Sequence, residues 1–179
     1  ASLVRHAATP DAKALKRVLK EGAGVDATDW DGTTALLSAS SGGNLDIVKL
    51  LLKEGADVGK GDKDGITPVL AACISGHLNV LKHLLDKGGG VLEPVGGGAD
   101  GVTPLWLAAG EGRKDIVEYL ITKKDQDVNA ARSDGISPLT AAVIGDHVDV
   151  VKLLVKNGAD ATALDAEGVS ALTNACEGG

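Results

Sequence analysis

Histidine and cysteine, the side chains that most often serve as nucleophiles, general bases or zinc ligands, are few in this sequence. A zinc site requires ligands that recur at short spacing, such as Cys-x-x-Cys or two histidines one helical turn apart. No such pair occurs among the histidines and cysteines, which are His6, His77, His83, His147, Cys73 and Cys176. We therefore predict no metal site, and we expect His77, His147 and both cysteines to be structural or packing residues.

Two acidic pairs and one glycine-rich stretch resemble parts of ligand-binding loops. Asp29-x-Asp31-Gly32 and Asp62-x-Asp64-Gly65 match half of a calcium loop, but neither has the further oxygen ligands that an EF-hand requires. The stretch at 88–98 lacks the Gly-Lys-Ser/Thr ending of a phosphate-binding loop. No serine or cysteine sits in a nucleophile elbow. We therefore expect no cofactor, no catalytic residue and no enzymatic activity in this chain.

The composition narrows the class of protein. The chain has 179 residues, of which 25 are Asp or Glu and 18 are Lys or Arg, and 44% are apolar. This apolar content excludes a disordered chain, while the net charge of -7 argues against a nucleic-acid or anionic-membrane surface. No apolar run approaches the ~20 residues of a membrane span. Two cysteines are too few for a disulfide scaffold, which favours a reducing intracellular compartment: cytoplasm or nucleus first, with an organelle interior also compatible.

The elements that must position any functional residue are repeated. Asp-Gly occurs four times and Glu167-Gly168 stands in a fifth place, so that glycines 32, 65, 101, 135 and 168 recur at intervals of 33, 36, 34 and 33 residues. A capping hydroxyl followed by proline comes two residues later in three copies, at Thr67, Thr103 and Ser137. An apolar block with helical spacing follows, for example Leu45, Val48, Leu51 and Leu52. Each copy therefore predicts two short helices and a turn, with Gly43, Gly76 and Gly112 at the end of the first helix.

A helix pair of this length cannot bury its apolar stripe alone, so the repeat predicts a solenoid of stacked pairs. The segments Gly65–Ala72, Gly76–Leu85 and Gly55–Val58 resemble the ankyrin repeat family. That resemblance implies an all-α solenoid of stacked helix-turn-helix units with projecting β-hairpin-like fingers. The family's histidine that ties neighbouring turns together is replaced in every copy, by Leu37, Leu70, Trp106, Thr140 and Thr173. We therefore expect other hydrogen bonds to join the loops.

The register predicts one ankyrin repeat domain over residues 1–179. It divides into a degenerate N-terminal capping repeat (1–29), four full repeats (30–62, 63–98, 99–132 and 133–165) and a truncated last repeat (166–179). The first turn is one residue short at Thr9-Pro10-Asp11, and the third finger is three residues longer. Since the last copy stops after its first helix, we expect the native polypeptide to continue beyond Gly179.

The resemblance implies that a protein partner binds the finger tips and the exposed face of the first helices. The sequence-predicted partner-binding residues are Trp30, Asp31, Thr33, Lys63, Asp64, Ile66, Ile74, Val102, Trp106, Glu111, Arg132, Ser133, Ile136 and Ile144. Trp30 is the leading candidate, because Trp is enriched at interface hot spots; the alternative is that its ring lies flat on the preceding finger. For Trp106, packing and partner contact both stay open.

Two functions fit these expectations. The first is a protein–protein interaction scaffold or adaptor. The second is a recognition or regulatory arm of a larger enzyme, channel or multi-subunit complex, whose functional domain lies outside this chain. The finger turns carry a row of acidic residues, and this acidic finger row predicts a partner with a basic segment. Its members are Asp29, Asp31, Asp62, Asp64, Asp100, Asp134, Asp165 and Glu167. Neither nucleic-acid binding nor insertion into a membrane is expected, and the chain could be one subunit of a larger assembly.

Overall fold

A computed structural model of the chain describes residues 3–7, 12–87, 92 and 101–177. These residues form eleven α-helices, and their only β structure is two isolated bridges, Thr28 with Thr34 and Leu164 with Ser170. The chain divides into two compact units, Ala1–Leu92 and Glu93–Gly179. None of the helices in the described ranges is long and apolar enough to cross a membrane. The single domain over 1–179 stays a prediction.

Unit 1 consists of two rows of helices. The inner row is α1 (Leu3–Ala7), α3 (Ala35–Ser41) and α5 (Pro68–Ser75), and the outer row is α2 (Ala12–Lys20), α4 (Leu45–Lys53) and α6 (Leu78–Lys87). Each helix packs on its partner in the other row and on its neighbour in its own row. Aliphatic side chains fill the space between the rows, and the largest fully buried ones are Leu15, Leu36, Ile47, Leu51, Leu81 and Leu84.

Unit 2 repeats this arrangement. Its inner row is α7 (Pro104–Gly110), α9 (Pro138–Ile144) and α11 (Ala171–Glu177), and its outer row is α8 (Lys114–Lys124) and α10 (Val148–Lys156). The largest fully buried side chains are Leu105, Ile116, Leu120, Leu139 and Leu154. The predicted all-α architecture of stacked helix pairs is thus confirmed within each unit, with a helix pair at 3–20 in the place of the capping repeat.

The inner helices begin where the hydroxyl–proline pairs predict. The Thr103 hydroxyl accepts from the amide of Trp106 at 3.1 Å and the Ser137 hydroxyl from the amide of Thr140 at 3.1 Å. The amide of Leu70 is 3.4 Å from the Thr67 hydroxyl. In each case proline is the first helical residue, where no N–H is needed.

The turns after the inner helices need a left-handed residue. Gly43, Gly76 and Gly112 have φ of 70°, 84° and 68°, as predicted. Only α5 ends directly at its glycine; α3 ends at Ser41 and α7 at Gly110. In the fourth copy Asp146 takes this position with φ 56°, a conformation that aspartate tolerates better than most side chains.

Histidines link these turns between successive repeats. His77 Nε2 lies 2.9 Å from the carbonyl oxygen of Ser41, and His147 Nε2 lies 2.9 Å from that of Gly110. Since a carbonyl only accepts, each Nε2 carries the proton. The predicted structural role of both histidines follows from these bonds.

The expectation for one cysteine was wrong. Cys73 is fully buried in α5, but Cys176 in α11 is exposed, because no described helix packs on the outer side of α11. Several other expectations lie outside the described residues: the 9–11 turn, nearly all of the 88–98 insertion, Asp100 and Gly178-Gly179. The side chain of His6 lies outside them as well.

Candidate protein-binding groove and finger surface

The finger turns are held by a repeated carboxylate. Asp29 Oδ1 accepts from the amides of Asp31 and Thr33, both at 3.0 Å. Asp62 accepts in the same way from Asp64 and Ile66, and Asp165 from Glu167 and Val169. The acidic finger row therefore consists partly of turn-stabilising residues, which any finger of this type would carry whatever it binds.

The fourth finger lacks this carboxylate, because Arg132 stands in its place. The backbone of the turn is nevertheless the same, since the amide of Arg132 donates to the carbonyl of Ile136 at 3.1 Å, as Asp29 does to Thr33. Asp134 supplies one substitute bond by accepting from the amide of Ile136 at 3.1 Å. The Arg132 guanidinium therefore takes no part in the hydrogen bonds of the turn and is available for other contacts.

That guanidinium stacks on the indole of Trp106. Arg132 Cζ lies 4.8 Å from the ring centroid, and Arg132 Nη2 forms an ion pair with Asp134 Oδ2 at 3.0 Å. Only 26% of the Arg132 side chain is exposed, and its Nε is buried with no hydrogen-bond partner among the described residues. The distance is that of a cation–π pair, and the partial burial of Arg132 leaves this pair partly desolvated.

The indole also joins two repeats. Trp106 Nε1 donates to the carbonyl of Ile136 at 3.0 Å, across to the next finger. This bond confirms that another hydrogen bond replaces the family's loop-tying histidine in this copy. The ring is half-buried: one part packs inside the protein and the other part is accessible to a partner. Both alternatives for Trp106, packing and partner contact, therefore stay open.

A groove opens beside this pair on the inner-helix side of unit 2. Its volume is about 320 Å³, and its lining is mostly apolar. The residues that line it are Trp106, Leu107, Gly110, Glu111, Arg132, Ile136, Ala141, Ile144 and Gly145. Five of these are sequence-predicted partner-binding residues: Trp106, Glu111, Arg132, Ile136 and Ile144. Ile144 is 64% exposed and Glu111 is also exposed, so both form the rim.

Sequence reasoning missed the small residues of the groove. Gly110, Ala141 and Gly145 contribute space instead of contacts. The available signal was the absence of a side chain at Gly110, since the matching position in the other full copies holds Ser41, Ile74 or Ile144. Two predicted residues of unit 2 lie outside the groove lining: Val102 is half-buried in its finger, and Ser133 is exposed at a finger tip.

Unit 1 presents a different surface at its finger tips. Trp30 is 80% exposed, and Lys63 Nζ lies 5.9 Å from its ring centroid. The two fingers are joined by the amide of Lys63, which donates to the carbonyl of Asp31 at 3.1 Å. With that exposure, Trp30 does not lie flat against another finger of the described structure. Among the remaining predicted residues of this unit, Asp64 is exposed and Thr33, Ile66 and Ile74 are half-buried.

The described residues include no cluster of three His, Cys, Asp or Glu that could hold a metal ion. Burial raises the pKa of the Cys73 thiol to about 12, so the thiol stays protonated and is not nucleophilic at neutral pH. The Thr162 hydroxyl and then its backbone amide lower the pKa of Asp160, in an exposed turn away from the groove.

The helix pairs are stacked in two rows, and hydrogen-bonded fingers connect successive pairs. This arrangement defines a helical repeat protein of the solenoid class. The family model for ankyrin repeats (3 copies) matches residues 3–93, 46–132, 90–165 and 124–179. The chain belongs to the ankyrin repeat family. Ankyrin repeats are generally protein–protein interaction modules, and no catalytic family is indicated.

Solved structures with this fold are numerous, since 557 chains are similar to this one. One is a chain from the complex of the Bd0816 predatory endopeptidase of Bdellovibrio bacteriovorus with the immunity protein Bd3460. It is 28% identical, with a TM-score of 0.84, and the match covers 98% of this chain and 91% of the other. No curated protein matches the sequence.

Proposed function

We propose that this chain is a non-enzymatic scaffold or adaptor that binds a partner protein through its finger tips and inner-helix face. One observation carries the proposal: the stack of Arg132 on Trp106 at the edge of an open groove. Arg132 stands where the other described copies hold Asp, and Trp106 stands where they hold Leu or Thr.

The hydrogen bonds of the turn give no reason for Arg132. An aspartate there would accept two amide hydrogen bonds, as Asp29, Asp62 and Asp165 do. Arginine gives up those bonds and leaves its Nε buried without a partner in the described structure, which opposes folding. A residue that weakens its own turn is expected where it serves recognition, and Arg and Trp are the side chains most enriched at interface hot spots.

Unit 1 offers a second contact surface, built on Trp30. An indole that is 80% exposed contributes little to folding but offers a large, rigid apolar face to a partner. Asp29 and Asp31 flank it in the sequence, and Lys63 is the nearby cation. This balance supports a partner with a basic segment near the finger tips.

The same binding event would serve a recognition or regulatory arm of a larger enzyme, channel or complex. The fold neighbour supports a more specific second candidate, in which the partner is an endopeptidase that this chain holds inactive. The support is the match to a chain of an endopeptidase–immunity protein complex over 98% of this chain.

Site-specific photo-crosslinking in the native host tests the proposal. A photoreactive residue at Ser133, exposed beside Arg132, is expected to crosslink a defined protein, whereas the same residue at Glu118, exposed on the outer helix α8, is not. Equal crosslinking at both positions would contradict the proposed surface. If the captured protein is a peptidase whose activity the purified chain suppresses, the second candidate is favoured; a captured protein without that activity removes it.

A further inference from the structure

We infer that the groove receives one large apolar side chain of the partner, and that a cationic residue lies next to that side chain in the partner. This inference rests on the proposed function and specifies the chemistry of the partner segment. It is argued from the size of the groove, the origin of its open space and the charge of its rim.

The size and lining of the groove fit a single anchor residue. A volume of about 320 Å³ is ample for one large side chain, and the lining is mostly apolar. The indole of Trp106 and the aliphatic chain of Ile144 face this space from successive inner helices. An aliphatic or aromatic side chain would bury apolar surface on both, whereas a polar one would lose its hydration without gaining a partner.

The open space exists because Gly110 has no side chain. The same repeat position holds Ser41, Ile74 and Ile144 in the other full copies. A β-carbon at Gly110 would approach nothing closer than the Cβ of Ala141, at an ordinary contact distance of 3.6 Å. Since alanine would fit and would favour the last turn of α7, neither sterics nor helix propensity explains the glycine.

The charge at the rim of the groove determines which type of partner residue can lie next to the apolar side chain. The positive charge of Arg132 is engaged by Asp134 at 3.0 Å. Glu111, exposed on the rim, has no ion pair with any described residue. The rim therefore offers one unneutralised carboxylate, which attracts a lysine or arginine and repels an acidic residue.

Peptides selected from a displayed random library on the full chain are the probe. Selected peptides are expected to share a large apolar residue with Lys or Arg nearby. Gly110→Ile, which fills the groove, should weaken their binding at least tenfold, and Gly110→Ala should weaken it less. The matched control is Ser41→Ile, which places the same side chain at the same repeat position of unit 1 and should leave affinity unchanged.

Glu111→Gln should weaken the same peptides about threefold and flatten their salt dependence, while Glu118→Gln on α8 should do neither. Peptides that bind Gly110→Ile as well as wild type overturn the inference, as do groove-dependent peptides with acidic neighbours. Peptides that lose affinity only in Trp30→Ala would also overturn it, yet would leave the proposed protein-binding function standing. Near-equal melting temperatures of the variants show that the effects are not due to unfolding.

Discussion

The imidazole of His147 lies directly over Gly112 of the preceding repeat. A β-carbon at residue 112 would stand 2.5 Å from His147 Nδ1, while Nε2 on the other side of the ring bonds to Gly110 O at 2.9 Å. His77 and Gly43 have the same relationship in unit 1, with a distance of 2.6 Å. The glycine is therefore required both by its φ and by the ring that the next repeat places on it.

Gly112→Ala should destabilise unit 2 by about 2–3 kcal/mol, the sum of left-handed strain of about 1 kcal/mol and displacement of the His147 ring. Gly158→Ala is the matched control, since its φ is 90° but nothing lies within 4 Å of the added carbon. Urea unfolding of both variants measures the difference. Equal losses would mean that His147 moves away without cost.

Arg132→Asp should separate folding from binding. The substituted carboxylate can accept from the amides of residues 134 and 136, as in the other fingers, so the free energy of unfolding should change by less than about 1 kcal/mol. Binding of the partner should weaken by about 2 kcal/mol, because the stack on Trp106 is lost. Chemical denaturation and titration calorimetry give the two values. A large stability loss with intact binding would show that Arg132 serves the fold.

Trp30→Ala should leave the helical circular dichroism and the melting temperature unchanged, because the side chain is 80% exposed. Affinity for the native partner should fall by about 2 kcal/mol, as expected for truncation of a hot-spot residue. Val155→Ala is a suitable control, since Val155 is also exposed but lies on the outer helix α10. Unchanged affinity in Trp30→Ala would remove Trp30 from the binding surface.

Cys73 should make the stability of unit 1 depend on alkaline pH. The unfolded thiol ionises near its ordinary pKa of 9.0, whereas burial raises the folded value to about 12. Below pH 9 both states are protonated and no stability is lost. Between these values only the unfolded state releases the proton, so the free energy of unfolding falls by about 1.4 kcal/mol per pH unit.

The variant Cys73→Ala provides the comparison for that slope, since Ala109 holds the matching position in unit 2. Stability measured between pH 9 and 11 should fall more steeply in the wild type than in the variant. Identical slopes in the two proteins would mean that the folded thiol titrates normally.

The two cysteines should also differ in reactivity at neutral pH. A maleimide should modify the exposed Cys176 within minutes, whereas the buried Cys73 should react only in denaturant. Mass spectrometry of the labelled peptides distinguishes the sites. Rapid modification of Cys73 would indicate that unit 1 opens under native conditions.

Much of this fold follows from the sequence because its signals are local. The caps at Thr103 and Ser137 and the left-handed glycines depend on residues within one turn, and all formed where predicted. The exposure of Cys176 could not be read in this way, because burial depends on which helix packs beside α11.

The groove required more than local signals. Its residues could be nominated singly from their variation between copies, but the stack of Arg132 on Trp106 joins positions 26 residues apart in sequence. The repeat register did not indicate that Arg132 and Trp106, which both differ from the residues at the same position in other copies, would lie in contact. Nor did it indicate that Gly110 would leave open space beside them.

The carbonyl oxygen of Ile136 accepts two hydrogen bonds, one from the amide of Arg132 in its own finger and one from the Trp106 indole of the previous repeat. This one oxygen therefore closes the finger turn and also links the turn to α7, the inner helix that a partner in the groove would contact. A bound side chain that tilted the indole would weaken the Trp106 hydrogen bond to this oxygen. Binding in the groove would therefore affect the turn of the fourth finger.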